Sequence, residues 1–164
     1  MIVGKRLTNY EIAPFLLAGQ PLDFTEVYKY LGVDVCSGSA LTFSADNTIR
    51  SFYRAANAIL YSRVKPNQDV LLKLLYTNCV PIVTYASAAK EFSASDMNRC
   101  HVAVNNCIRK IFSFALWESI RHLRLSHGFS CVYEIFAVSK RKFLEKALIS
   151  PNLIVKSLSS LENG

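Results

Sequence analysis

The sequence predicts a mainly α-helical protein in which a short N-terminal β-ribbon is followed by a helical bundle. Residues 26–33 alternate between two faces, which is the pattern of a strand. From about residue 44, apolar residues recur every three or four positions, as they do on the buried face of a helix. We expect a ribbon over 1–43, a bundle over 44–148, and a short helix with a frayed tail over 149–164. A hydrophobic content of 51% is enough to bury a core and excludes an intrinsically disordered chain.

The ribbon contains two candidate strands separated by a turn. The apolar run from Ile12 to Leu17 ends at Ala18-Gly19-Gln20-Pro21, a composition typical of turns. In the second candidate strand, alternate residues share a face. One face carries Val27, Lys29, Leu31 and Val33, and the other carries Tyr28, Tyr30 and Gly32. We expect the chain to leave the ribbon at Cys36-Ser37-Gly38-Ser39.

Capping residues, prolines and glycines indicate where the helices begin and end. The expected helix starts are Ser44 or Asp46, Asn67 after Pro66, Ser93 or Ser95, Trp117, and Ser130. We expect the second helix to reach Pro81 and the helix from Trp117 to stop at Leu125. The run 82–89 is apolar almost all round, which predicts full burial. Residues expected in the core include Ile49, Phe52, Ala56, Leu71, Leu75, Val104, Ile108, Ile111, Val132 and Phe136.

The positive charge is concentrated in the second half of the chain. The formal net charge is +7, and residues 99–164 hold 10 basic and 4 acidic side chains. Clusters of basic residues occur at Arg109-Lys110, at Arg121 with Arg124, and at Lys140-Arg141-Lys142 with Lys146. Any one cluster is explained by a solvated helix face. Together they favour a polyanionic partner, although charge alone does not distinguish RNA, DNA and an acidic protein surface.

The first helix also carries a polar stripe. Arg50, Arg54, Asn57 and Tyr61 follow the spacing i, i+4, i+7 and i+11, opposite the apolar face. Arginine neutralises phosphates, while asparagine and tyrosine donate hydrogen bonds or stack on bases. The stripe is therefore suited to contact a nucleic-acid backbone.

The cysteines indicate reduced thiols in an intracellular protein. The five cysteines are odd in number, none is in CxxC spacing, and the N-terminus lacks the pattern of a signal peptide. Cys100 and Cys107 share a helix face and are expected in the core. A zinc site would need ligands from Cys100, His101, Cys107, His122, His127 and Cys131, and no tetrahedral set is evident. The apolar run 71–89 contains Lys73, Asn78 and Pro81, so no membrane span is expected, and the compartment is nuclear or cytoplasmic.

The residue pattern gives no indication of independent catalysis. The sequence contains no Gly-rich phosphate loop, no Gly-x-Ser-x-Gly elbow and no HExxH motif. The acidic residues are scattered, and none form a marked pair suited to two-metal chemistry. We therefore expect this chain to have no catalytic residues and to bind no metal or cofactor itself.

Several stretches resemble the reverse transcriptases of LINE-type non-LTR retrotransposons. Tyr30-Leu31-Gly32 is similar to the family's primer-grip hairpin at the end of the palm. The order of this hairpin relative to the later Cys-Val-Pro and Arg-Lys-Ile-Phe segments is more specific than the hairpin alone. The resemblance reaches about residue 148 and rests on residues 5–6, 15–22, 27–33, 50–58, 74–85 and 105–112.

The resemblance implies an RNA-directed DNA polymerase with a helical thumb that grips the template–primer duplex. It also implies two divalent metal ions, Mg²⁺, held by palm aspartates of the complete enzyme. Those aspartates are expected upstream of Met1, so we expect this chain to be inactive alone. The implied partners are an RNA–DNA hybrid or duplex and the palm. The nucleic-acid-binding candidates are Tyr30, Leu31, Gly32, Arg50, Arg54, Asn57, Tyr61, Arg109, Lys110, Arg121 and Arg124.

Two alternative functions remain open at the level of sequence. In the first, the chain is a helical interaction module that docks an acidic protein, and its thumb-like features are vestigial. In the second, it is a metal-dependent enzyme in its own right. Tyr30 and Gly32 also have a purely structural explanation, because an edge-strand aromatic residue beside a bulge gives the same pattern.

Overall fold

The chain folds as two small antiparallel β-sheets followed by a set of helices, so the predicted mainly α-helical class is confirmed. The computed structural model describes residues 15–23, 25–36, 42–64, 66–85, 87–88 and 92–152. The expectations for residues 1–14, for Ser37-Gly38-Ser39 and for the tail from residue 153 lie outside these ranges. None of the helices in the described ranges is both long enough and apolar enough to cross a bilayer.

The strands within the described ranges form one two-stranded and one three-stranded sheet. Strand β1 (Leu16–Leu17) pairs with β2 (Gln20–Pro21). Strand β4 (Val33–Cys36) lies between β3 (Val27–Tyr30) and β5 (Thr42–Ser44), and both pairings are antiparallel. Strand β5, the last strand of the three-stranded sheet, leads directly into the first helix.

The alternating run 26–33 is not a single strand as its pattern predicts. It reverses direction at Leu31 and Gly32, whose φ angles of 47° and 79° are both left-handed. Such a pair of positive φ angles matches the twist of a two-residue hairpin. Val33 therefore belongs to the returning strand, opposite Tyr30.

In the described part of the chain, six α-helices follow, with one wide turn between the second and third. They are α1 (Asp46–Leu60), α2 (Gln68–Leu74), α3 (Val80–Thr84), α4 (Ala94–Phe112), α5 (Arg121–Ser126) and α6 (Val132–Ile149). Residues Leu75–Cys79 form a π-helical turn, so the chain continues through Pro81 instead of stopping there. Pro81 has no amide hydrogen and would clash with the carbonyl of Thr77 in a regular α-helix. The wider turn before it accommodates both effects.

Two of the predictions for the helical region are wrong in detail. The helix expected from Trp117 begins only at Arg121, and residues 114–120 form a loop. The run 82–89 is not buried throughout, because Val83 is fully buried while Tyr85 is 57% exposed. Apolar periodicity does not predict either outcome, because contacts with other elements of the fold decide where this helix begins and which side chains of the run are buried.

The core lies where α4 packs against the other helices. Cys100 and Cys107 are buried in it, as their spacing predicts, and burial raises the pKa of the Cys107 thiol to about 11. Both cysteines therefore act as small apolar groups. The fully buried side chains include Phe52, Ala56, Leu72, Cys79, Val83, Cys100 and Ile108.

His127 joins the turn after α5 to the start of α2. Its Nε2 lies 3.1 Å from Asp69 Oδ1, and its Nδ1 lies 2.9 Å from the carbonyl oxygen of Leu123. The Leu123 carbonyl and the Asp69 carboxylate hold the pKa of His127 above its usual value of 6.5. Both ring nitrogens face oxygen acceptors, so the protonated ring is favoured.

We expect this contact to make stability depend on pH. A histidine with a raised folded-state pKa stabilises the fold fully below its unfolded pKa, near 6.5, and this contribution is lost as the pH rises through the folded pKa. The difference in unfolding free energy between wild type and His127→Gln should therefore be largest below pH 6.5 and shrink toward pH 8, measured by urea denaturation. The exposed His122→Gln, in the same helix α5, controls for the removal of a histidine. A difference for His127→Gln that grows with pH would contradict this assignment.

Candidate nucleic-acid interface

Helices α1 and α4 lie side by side and run in the same direction. Asp46 at the start of α1 forms an ion pair with Arg99 near the start of α4, and Arg99 holds the pKa of Asp46 below its usual value. About two turns further along both helices, Tyr53 of α1 and Asn106 of α4 line the same pocket. Both pairs have the same sequence separation, so the two helices keep a common register.

The predicted polar stripe lies on the solvent face of α1. Arg50, Arg54, Asn57 and Tyr61 are all exposed, and Tyr61 is 76% exposed. At 1.5 Å per residue they span about 16 Å of the helix. At 100° per residue, Tyr53 lies on the edge of this stripe that faces α4, and the opposite edge carries Asn47 and Ser51.

A groove separates this opposite edge from the tip of the β3–β4 hairpin. It has a volume of about 660 Å³ and is lined on one side by Lys29, Leu31 and Gly32 and on the other by Asn47, Ser51 and Tyr85, among other residues. Ser51 is three residues from Arg54, which makes them neighbours on the helix surface. The groove is therefore continuous with the polar stripe.

The hairpin tip is docked onto the end of α3. The Tyr85 hydroxyl donates a hydrogen bond of 3.3 Å to the carbonyl of Leu31. A Cβ at Gly32 would lie 3.4 Å from the Tyr85 ring, so glycine suits both the left-handed backbone and the close approach. Leu31 and Tyr30 remain 74% and 62% exposed at this tip.

Asp34 fixes the sheet to α1 at the floor of the groove. Its side chain is buried, and its Oδ2 accepts a hydrogen bond of 2.8 Å from Asn47 Nδ2. A buried carboxylate needs such a donor because it has lost its hydration. This contact connects the central strand of the sheet to the first turn of α1.

Arg109 and Lys110 are adjacent in sequence but differ in surroundings. The Arg109 guanidinium donates from Nε and Nη2 to the carbonyl of Glu118, at 3.2 and 3.1 Å, and from Nη1 to Asn106 Oδ1 at 3.1 Å. These bonds join the guanidinium to the following loop and to α4, and the phosphate contact expected from the sequence stays a prediction. Lys110 is exposed. Its sequence separation from Asn57 equals that of the pairs Asp46–Arg99 and Tyr53–Asn106.

Arg121 and Arg124 lie on α5, and Arg124 contacts α4. Arg124 is half-buried, and its Nη1 lies 3.4 Å from Asn105 Oδ1 on α4. On the helical wheel, Asn105 is turned well away from the α4 residues that meet α1. Burial, together with Arg124 and Arg109, lowers the pKa of the neighbouring His101. Arg121 is exposed at the start of α5.

Sequence reasoning missed Lys29, Asn47, Ser51 and Tyr85 as parts of this surface. The signal that could have found two of them is the spacing of Asn47, Ser51 and Arg54 at i, i+4 and i+7, which is that of a second polar row on α1. No comparable signal marked Tyr85, which is brought to the hairpin by the tertiary fold.

The described residues show no grouped set of ligands for the two divalent ions that the resemblance implies. Within the ranges the structure describes, no three His, Cys, Asp or Glu side chains are grouped to hold a metal ion. The carboxylate in the groove, Asp34, is buried and bonded to Asn47. We derive no step through a metal at this surface.

Removing the Asn47 amide should destabilise the fold. Asn47→Ala leaves the buried Asp34 carboxylate without its Nδ2 donor, at a cost of about 1–2 kcal/mol. The exposed Ser51→Ala, on the same wall of the groove, should change the unfolding free energy by less than about 0.5 kcal/mol. Urea denaturation of both variants measures this, and equal effects would refute the role of the Asp34–Asn47 bond.

Arg109 and its neighbour should also differ in their effect on stability. Arg109→Met removes the hydrogen bonds to Glu118 and Asn106 and should cost about 1–2 kcal/mol. Lys110→Met, at the exposed neighbouring position, should cost less than about 0.5 kcal/mol. The same urea measurement tests both, and an Arg109→Met variant as stable as wild type would show that the loop is held by other contacts.

Comparison with known proteins identifies no relative of this chain. No family model, no curated protein and no solved structure matches it. The similarity to LINE-type reverse transcriptases therefore stands on the residues quoted from the sequence. The geometry that bears on function is a continuous surface formed by the hairpin groove, the outer face of α1 and the exposed Lys110.

Proposed function

We propose that the chain forms the primer-grip and thumb part of a non-LTR-type reverse transcriptase and holds the template–primer duplex through phosphate contacts. The observation that carries this proposal is the continuity between the groove at the Tyr30–Gly32 hairpin and the Arg50–Arg54 stripe of α1. A grip of this kind needs a hairpin and a helical face that meet along one surface.

The charges on this surface suit a polyanion. Lys29, Arg50, Arg54 and Lys110 contribute four cationic side chains, all of them exposed. The acidic residues of the groove and of α1 are engaged, since Asp34 is buried against Asn47 and Asp46 is paired with Arg99. The surface thus attracts phosphates with little local repulsion.

The shape of the surface suits a duplex read by its backbone. An A-form or hybrid helix offers phosphates and 2′-hydroxyls across a wide, shallow minor groove. Two arginines one turn apart, with Asn57 and Tyr61 beyond them, can follow phosphates along about 16 Å without reading base edges. Binding should consequently depend on salt and little on sequence.

The test compares two arginines on α1 with two lysines on α6. The double variant Arg50→Ala/Arg54→Ala should weaken binding to a short RNA–DNA hybrid and reduce the slope of log K against log salt by about 2, since each lost phosphate contact removes roughly one unit. Fluorescence anisotropy over a salt series measures both quantities. The control Lys142→Ala/Lys146→Ala removes the same charge from exposed positions on α6 and should leave the slope nearly unchanged.

Three outcomes distinguish this function from others. Equal losses in the two double variants would mean that net charge alone drives binding. Absence of binding at low salt would refute the proposal. Binding to an acidic protein that competing nucleic acid does not displace would favour the helical docking module instead.

A further inference from the structure

The loop between α4 and α5 presents apolar side chains to solvent. Trp117 is 88% exposed and Leu116 is 73% exposed, while Phe114 is partly covered at 37%. Exposed tryptophan is unusual because its ring has a large apolar area that water disfavours. The group lies at the C-terminal end of α4, close to Lys110 and before Arg121.

Hydrogen bonds hold the backbone of this loop at both ends. Ser113 ends α4 with a left-handed φ of 57°, and the Phe114 amide donates to the carbonyl of Arg109 at 2.9 Å. The Arg109 guanidinium binds the carbonyl of Glu118, whose amide donates to the carbonyl of Ala115 at 3.1 Å. The backbone on both sides of Trp117 is thus held by hydrogen bonds, which limits the backbone entropy lost when a ligand stacks on its ring.

A pocket connects this loop to α1. It has a volume of about 440 Å³ and is lined by Tyr53 from α1, by Lys110 and Ser113 at the end of α4, and by Phe114 and Leu116 from the loop, together with their neighbours. Aromatic and aliphatic walls with one ammonium group match a base joined to a phosphate. Tyr53 forms the edge of the polar stripe, so the pocket opens beside the proposed duplex surface.

We propose that this pocket and Trp117 bind unpaired nucleotides that extend from the duplex held on α1. One base enters the pocket between Tyr53 and Phe114, its phosphate pairs with Lys110, and the next base stacks on Trp117. The inference rests on the proposed function and adds to it a preferred ligand, a duplex with a single-stranded extension.

Charge and continuity favour nucleic acid over an apolar protein surface or a lipid. Arg109 and Lys110 line the pocket, and Arg121 follows the loop. These three cationic residues outnumber Glu118, the single acidic residue between positions 109 and 121. The pocket also shares Tyr53 with the helix that carries Arg50 and Arg54. A nucleic-acid strand that extends from the duplex on α1 would therefore lie beside the pocket.

Because Trp117 is the single tryptophan of the chain, its fluorescence reports directly on this site. The experiment titrates the full chain with an RNA–DNA hybrid that carries a four-nucleotide single-stranded extension, and separately with the blunt hybrid of the same paired length. We expect the extension to tighten binding about 10-fold and to quench Trp117, since stacking of one base is worth roughly that factor. The blunt hybrid should bind with little quenching.

Variants at the site separate stacking from folding. Trp117→Ala should abolish most of the preference for the extension, whereas Trp117→Phe keeps a ring and should retain part of it. Anisotropy of a labelled hybrid measures both, because these variants lack the fluorescent residue. Phe143→Ala, at an exposed aromatic position on α6, is the control and should retain the full preference.

The outcomes for the duplex and for its extension are distinguishable. If blunt and extended hybrids bind equally and Trp117 is not quenched, this inference is overturned while the proposed duplex grip stands. If neither hybrid binds, both fail. A Trp117 emission shift with vesicles of anionic phospholipid, or with an acidic protein, but not with the extended hybrid would also overturn it.

Discussion

The parallel packing of α1 against α4 is the constraint on which the rest of this structure depends. The buried faces of the two helices, with Phe52 and Ala56 on one and Cys107 and Ile108 on the other, form much of the core. The exposed Asp46–Arg99 ion pair marks the register of the two helices at their starts. Once this register is fixed, the orientation of every side chain on the outer face of α1 is fixed with it.

Two neighbouring features take their positions from α1. On one edge, Asn47 binds the buried Asp34 and brings the three-stranded sheet, with its hairpin, against the helix. On the other edge, Tyr53 lines a pocket together with the C-terminal half of α4, where Arg109 holds the following loop. The groove, the polar stripe and the pocket therefore form one surface because a single helix borders all three.

The parts of this surface that depend on local periodicity were predictable from sequence. The spacing of Arg50, Arg54, Asn57 and Tyr61 placed them correctly on an exposed face, because a 15-residue amphipathic helix leaves little freedom. The roles of Tyr85 and Arg109 were not predictable, since each depends on a partner brought close by tertiary packing. The hairpin turn at Leu31–Gly32 was concealed because strand alternation continues across it, and the wide turn before Pro81 because the apolar pattern does not change there.

Hydrogen–deuterium exchange of the full chain, with and without a saturating RNA–DNA hybrid, tests the central claim most directly. The account predicts slower exchange on binding in residues 29–34, at the tip of the β3–β4 hairpin, and along α1, with α6 unchanged. Protection confined to α6 or α5, with α1 exchanging as it does in the free protein, would contradict the assignment of this surface as the nucleic-acid grip.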